Sequence, residues 1–467
     1  MLLLFSAAGC FDEKISNDPA CVLSFSTDLV SFDTVFTDKG TATAMFSVYN
    51  RNKKAVRIES VTLADAARSG FFINVDGEKG PDVGSIVLDA KDSLLVFVEA
   101  NIDPTDEKTP FLVRDSVVFL TNGVRQDVKL QAYGQNAVVF RNGKILSADT
   151  LFSAELPILI YDSLVVAPDV TWTLTEGTTL YLHDKAYLRI DGRMVAQGTA
   201  DKRVTLRGDR TDNLFPDLPY DYYSGQWGGV HFGSGSYDNS WDFVDMHGSS
   251  WGIRIDSSDV AREKLTLNHT IVHNSAGTLI SASHARINAY NCQLTNAGAS
   301  LLDLTACPSE WVHCTIVNYY FWDIISAPML VFAGYDTTAS AAPDMPSVSI
   351  ANSIVVGRGT LMSPADIVGM PVTFDHCLFA VAGTDDDNFL SCVWEGDPAF
   401  VATGEDYIYD YSIADSSSAR GAGDVHYLND TTAFDLFGVP RLTDGTPPDL
   451  GAANYVAPAD DEPKPAE

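Results

Sequence analysis

The sequence predicts an all-β chain, a small antiparallel sandwich followed by a solenoid of stacked coils, and three observations carry that reading. A short phrase recurs as Asn268-His-Thr-Ile271, Asn291-Cys-Gln-Leu294, His313-Cys-Thr-Ile316, Ala351-Asn-Ser-Ile354 and Asp375-His-Cys-Leu378, with its closing aliphatic residues 23, 22, 38 and 24 positions apart. That period is too short for a domain and too long for one hairpin, but it suits one coil of a solenoid whose neighbours bury each other's apolar face. Apolar residues make up 46% of the chain, beside 34 Gly and 21 Pro, a mix that favours many short strands broken by turns. Long amphipathic helical patterns are nearly absent.

The elements follow in chain order. Residues 1–10, Met1-Leu-Leu-Leu-Phe-Ser-Ala-Ala-Gly-Cys10, form an apolar run closing on small residues and a cysteine. This resembles a bacterial lipoprotein signal peptide ending at its lipobox cysteine, which implies a lipid anchor on Cys10 and an outer-membrane address. The alternative is an apolar terminus with an incidental thiol. Phe11-Asp-Glu-Lys14 resembles the export signal that brings Bacteroidetes lipoproteins to the cell surface. Residues 22–135 alternate with period two, as in Ser93-Leu-Leu-Val-Phe-Val98 and Asp115-Ser-Val-Val-Phe-Leu120, and read as a sandwich. Ser31-Phe-Asp-Thr-Val-Phe36, Val48-Tyr-Asn50, Phe71 to Gly77 and Thr121-Asn-Gly123 resemble the immunoglobulin-like modules that open Bacteroidetes surface lipoproteins.

Residues 140–455 read as the solenoid, with the junction between Gly134 and Asn142. The stretch from Thr178 to Phe232, with Gly177-Thr-Thr-Leu-Tyr-Leu182, Leu188-Arg-Ile190 and Gly225-Gln-Trp-Gly-Gly-Val-His-Phe232, resembles the opening coils of right-handed parallel β-helix proteins of the pectate-lyase-like group. Phe437-Gly-Val-Pro-Arg441 through Ala452 resembles their closing segment. The resemblance implies roughly ten coils. Residues 456–467 are polar and Pro-rich and read as a flexible acidic tail.

Sixty-two acidic against thirty basic residues leave a net charge of −32, which disfavours nucleic acid because phosphate binding rests on clustered Lys and Arg. Between Lys264 and Lys464 stand only Arg286, Arg358, Arg420 and Arg441, so a polyanionic ligand finds little to hold it there. The cysteines show neither CxxC pairs nor zinc-like spacing. Placing Ile271, Leu294, Ile316, Ile354 and Leu378 inward also turns His269, Cys292, Cys314, Asn352 and His376 inward. A straight stack of such residues does not make a tetrahedron, so the expectation is core histidines and buried thiols, with no metal and no cofactor. A Cys292–Cys314 bridge is the alternative.

Hydrolases resembling this fold work with several Asp on one exterior face. Asp242, Asp245, Asp256 and Asp259, beside Arg254, His247 and Trp251, are the carboxylates that can serve as an inverting acid and base pair, or as plain surface charge. A lyase is less favoured for want of Lys and Arg. Two aromatic clusters, Tyr220, Tyr222 and Tyr223, and Tyr319, Tyr320 and Trp322, fall in long insertions, which in solenoids project from one side. Such rings suit stacking on a sugar, or else cap the solenoid side. The resulting expectation is a noncatalytic cell-surface module binding a neutral glycan or serving as structure. The alternatives are a polysaccharide-degrading enzyme and a protein adhesin.

Overall fold

A computed structural model describes residues 15–37, 39–215, 218–325, 327–335, 346–362, 364–404, 407–442 and 445–457. Cys10 and nearly all of the 456–467 tail lie outside them. The chain divides into two compact units, 1–137 and 138–467. Among the described residues none forms an α-helix, and no helix is long and apolar enough to cross a membrane.

The first unit holds two five-stranded, largely antiparallel sheets, consistent with a β-sandwich. Alternation sets its core: in Ser93–Ala100 every second residue, Leu94, Val96, Val98 and Ala100, is buried.

The second unit is a right-handed parallel β-solenoid of about nine turns. Each turn contributes strands to three faces, which stack into sheets of nine, eight and ten strands. On the first face Leu180, Leu206, Met246, Val272, Leu294, Ile316 and Val355 point inward one above another, and each is buried. Stacking like on like at ~4.8 Å steps lets every coil bury its neighbour's apolar atoms.

The recurring phrase marks the corner between the third face and the first. His269, Asn291, His313, Asn352 and His376 occupy it with φ of 46°, 55°, 53°, 47° and 50°. This is the left-handed region, which Asn and His tolerate better than most residues. The amides of all five donate to the coil above, as from Asn291 to the Val312 carbonyl at 3.0 Å. At the next position the hydroxyl or thiol of Thr270, Cys292, Cys314, Ser353 and Cys377 points inward and donates to the carbonyl two residues back, at 2.8, 3.2, 3.6, 2.7 and 3.6 Å.

This register differs by one residue from the sequence expectation in three of the five coils. Val272, Val355 and Phe379 are the inward residues, while Ile271, Ile354 and Leu378 face out. His269 and His376 stand in the corner instead of in an internal row, and the residue that follows each of them, Thr270 and Cys377, is the first to turn inward. Cys292 and Cys314 are free thiols.

Late in the solenoid the outer side of the first face is not open. Tyr411, Ile413, Ala419 and Leu450 from the C-terminal segment pack on Val317, Ile354, Val356 and Leu378. The segment is held by Arg441, which is 3% exposed and donates to Asn291 Oδ1, to Asn454 Oδ1 and to the carbonyls of Gly451 and Ala452.

Candidate functional site

Two long insertions leave the solenoid at the same corner, between the first and second faces. One runs from strand Val204–Gly208 to strand Val230–Phe232, the other from strand Thr315–Asn318 to strand Leu330–Ala333. Leaving one corner at different heights, they lie along the same side and meet.

The first insertion ends in a single 3-10 turn, Tyr220–Tyr222, behind Pro219. Gln226 fixes that turn by donating from its side-chain amide to the Tyr220 and Tyr223 carbonyls at 2.7 and 2.9 Å. Gly208 permits this approach, since a Cβ there would stand 2.3 Å from the Gln226 side-chain oxygen.

The second insertion locks onto the first. Trp322 Nε1 donates to the Tyr222 carbonyl at 2.9 Å, and the Tyr320 and Ser224 hydroxyls bond at 2.7 Å. Trp322 also sits edge-on to Tyr223 at 4.9 Å between ring centres. The contacts continue from Tyr220 to Tyr223 at 6.1 Å, from Trp322 to Phe321 at 4.3 Å, and from Phe321 to Tyr407 and Tyr409 at 5.4 and 6.3 Å. The result is a continuous row of rings. Tyr223, Phe321 and Tyr407 keep 39%, 37% and 40% of their surface exposed, enough for an external ligand to touch. Tyr320 is buried, and Tyr319 stacks on Tyr411 at 6.3 Å beside the row.

Beneath the first insertion the outward side of the first face carries polar groups. Arg207, His247 and His273 stand in successive coils, with Asp245 two residues before His247 on the same strand face. His247 is almost enclosed: Asp245 Oδ1 lies 2.7 Å from its Nδ1, and Asp221 Oδ1, reaching down from the 3-10 turn, lies 2.9 Å from its Nε2. Arg207 pairs with Asp221 at 2.8 Å, and His273 Nε2 lies 3.4 Å from Asp245 Oδ1. Burial alone pulls the His247 pKa down, but the charges of Asp245 and Asp221 and their hydrogen bonds outweigh it and push it up to about 9. Burial likewise works to raise both carboxyls, and the positive His247 holds Asp245 and Asp221 below the usual carboxylate range. This is an imidazolium clamped between two carboxylates.

The four candidate Asp residues do not gather in one cleft. Asp245 belongs to this cluster. Asp242 stands at the corner, 3.1 Å from His269 Nδ1. Asp256 follows the second-face strand Ile253–Ile255 and bonds His231 at 2.8 Å, and Asp259 receives the Ala261 amide in a nearby loop. Sequence reasoning missed Asp221 and His273, and placed His247 beside the carboxylates without giving it a role. The legible signal was Asp245-x-His247 on one alternating strand with another His one coil later. The contribution of Asp221 depends on where an irregular insertion lands, which no periodicity encodes.

No protein-family profile matches the chain, and no curated protein does. Among similar solved structures are a family 123 glycoside hydrolase from Clostridium perfringens that hydrolyses glycolipid glycans (10% identity over 24% of this chain and 26% of that one, TM-score 0.18). Others are the PapD-like domain 7 of human CEP192 (10% identity, 28% and 97%, TM-score 0.18) and the periplasmic chaperone SfaE (13% identity, 24% and 57%, TM-score 0.17). The present chain spans about a quarter of that glycoside hydrolase's length.

Proposed function

We propose that the chain is a noncatalytic cell-surface module that binds a neutral polysaccharide along the aromatic row, tethered by lipid on Cys10. The observation that carries the reading is the unbroken run of ring contacts from Tyr220 through Tyr223, Trp322 and Phe321 to Tyr407, built by three separate segments and exposed at three of its rings. Flat rings with polar edges match the C–H faces and hydroxyls of a pyranose. The scarcity of cations over the second half of the chain favours an uncharged glycan over a polyuronate.

The two carboxylates of the His247 cluster argue in the same direction. A glycosidase needs one carboxyl kept protonated to release the leaving group and a second placed across the bond. Asp221 and Asp245 are instead both held ionised on one imidazole.

The test is retention of the purified chain on gels containing neutral or acidic polysaccharides, with an assay for released reducing and unsaturated ends. The reading expects retardation by a neutral glycan, loss of retardation in a Tyr223→Ala, Phe321→Ala double variant, and no released ends. Unchanged retardation in that folded variant overturns the platform, and released ends overturn the noncatalytic assignment. Binding to no glycan leaves protein adhesion as the better account.

A further inference from the structure

We propose that Asp245, His247 and His273 form a binding site for a divalent transition cation of the zinc class, with Asp221 as the carboxylate that orients His247. One ligand atom from each of the three residues lies within 4.8 Å of the other two. The Asp245 Oδ1 to His273 Nε2 separation is 3.4 Å, and Asp245 Oδ1 to His247 Nδ1 is 2.7 Å. Two ligands about 2.1 Å from a tetrahedral zinc stand about 3.4 Å apart; the Asp245–His273 pair already meets this, and a small opening of the Asp245–His247 contact with an approach of the two imidazoles, whose ligand atoms lie within 4.8 Å, brings all three into range. Two imidazoles and one carboxylate form a donor set of intermediate softness, suited to zinc and its neighbours and poor for calcium or magnesium, which prefer oxygen alone.

Asp221 supplies the second, independent sign. Imidazoles that hold a metal through one nitrogen characteristically donate the other N–H to a carboxylate, which fixes tautomer and ring direction. Asp221 Oδ1 receives the outer nitrogen of His247 at 2.9 Å, and Arg207 in turn anchors Asp221 at 2.8 Å. The inner nitrogen of His247 is thereby left aimed at Asp245, and the centre of the His273 ring lies 4.8 Å from that of His247. His247 is 8% exposed at its side chain, whereas His273 and Asp245 keep 24% and 26%, so the cluster is supported from below and reachable from solvent.

The location gives the cation a consequence. Asp221 lies within the turn that carries Tyr220 and Tyr222, so a cation that fixes His247 also fixes the base of the aromatic insertion.

The test is zinc uptake by the whole chain after chelator dialysis, followed by calorimetry and by X-ray absorption of the zinc-loaded protein. The expected result is one zinc per chain, a nitrogen and oxygen shell with the scattering signature of two imidazoles, and binding at least tenfold weaker in His273→Ala. Asp221→Asn, which keeps all three ligands, is expected to lose about tenfold to a hundredfold. A sulfur shell, the absence of stoichiometric uptake, or undiminished uptake by His273→Ala with an unchanged circular dichroism spectrum overturns the site. Because the absorption spectrum is read on the unsubstituted chain, the proposal stays decidable even where a variant fails to fold.

Discussion

Trp322 Nε1 donates to the carbonyl of Tyr222 across 100 residues of chain, a bond that helps to join two insertions leaving the solenoid at the same corner. Among the described residues no strand ladder links one insertion to the other. Their relative placement rests on this bond, on the Ser224 to Tyr320 hydroxyl pair and on the Tyr223 to Trp322 edge contact.

Trp322→Phe keeps a ring beside Tyr223 but removes the donor. The expected cost is about 1 kcal/mol, the net contribution of one partly buried hydrogen bond. Amide exchange at Tyr222 to Gln226 should accelerate while the solenoid coils stay protected. Hydrogen exchange read by mass spectrometry checks this, and uniform acceleration over the whole chain would show that the bond is not a local tie.

The corner position explains how much of the fold the sequence reveals. The phrase recurs because each coil needs a residue that accepts positive φ, and His269, Asn291, His313, Asn352 and His376 supply it. Counting the repeat on its aliphatic ends finds the period but misplaces three coils by one, because Ile271, Ile354 and Leu378 stand two residues after the corner and Leu294 and Ile316 three, and it is the third position after the corner that turns inward. The aromatic insertions were visible as composition. Their meeting was not, since it depends on both leaving one corner at heights that a sequence period does not state. Asp245 was legible as a carboxylate but not as one partner of His247.

The cysteines of that corner act as hydroxyls do. Cys314 Sγ donates to the Val312 carbonyl at 3.6 Å, as Ser353 Oγ does to Ala351 at 2.7 Å one coil on. Cys314→Ser should therefore shift stability by less than about 1 kcal/mol, because the exchanged group keeps its acceptor. Cys314→Val keeps the bulk, adds a branch and removes the donor, and should cost more. Thermal unfolding of the two variants orders them, and an equal loss in both would sink the hydrogen-bond account.

Arg441 should behave as the clasp of the C-terminal segment. It is buried, so burial holds its pKa down to about 10, and it reaches two asparagine side chains and two carbonyls at once. Arg441→Ala leaves those acceptors unpaired in a dry site, at an expected cost of about 3 kcal/mol or more. The segment packed on Val317 and Ile354 should then open before the coils do. Limited proteolysis is expected to cut between residues 415 and 457 first, and a cleavage pattern identical to that of the parent chain would count against the clasp.

Lys264 links a local irregularity to a pH dependence. It is the extra residue of a bulge, since Glu263 pairs with Arg286 but Leu265 pairs with the very next residue, Ile287. The bulge turns a lysine inward where alternation alone would not. Its side chain is fully buried, donating to the Gly233 and Ser234 carbonyls at 2.5 and 3.3 Å beside the Tyr237 ring. Burial lowers its pKa from 10.5 to about 8; Asp256 and Asp191 work against that change and Arg189 works with it. Between about pH 8 and 10.5 the unfolded chain holds this proton and the folded chain does not, so stability from this group rises with pH across that window. Below pH 8 both states carry the proton, and the cost of burying the charge is paid in full and no longer varies. With about 1.4 kcal/mol for each tenfold change in proton affinity, the rise is at most roughly 3.5 kcal/mol. Denaturant unfolding of the parent chain and of Lys264→Met at several pH values isolates it: the difference between them should grow in favour of the parent from pH 8 upward. Parallel curves would mean that Lys264 keeps its proton when buried, the carbonyls of Gly233 and Ser234 compensating fully for the lost water.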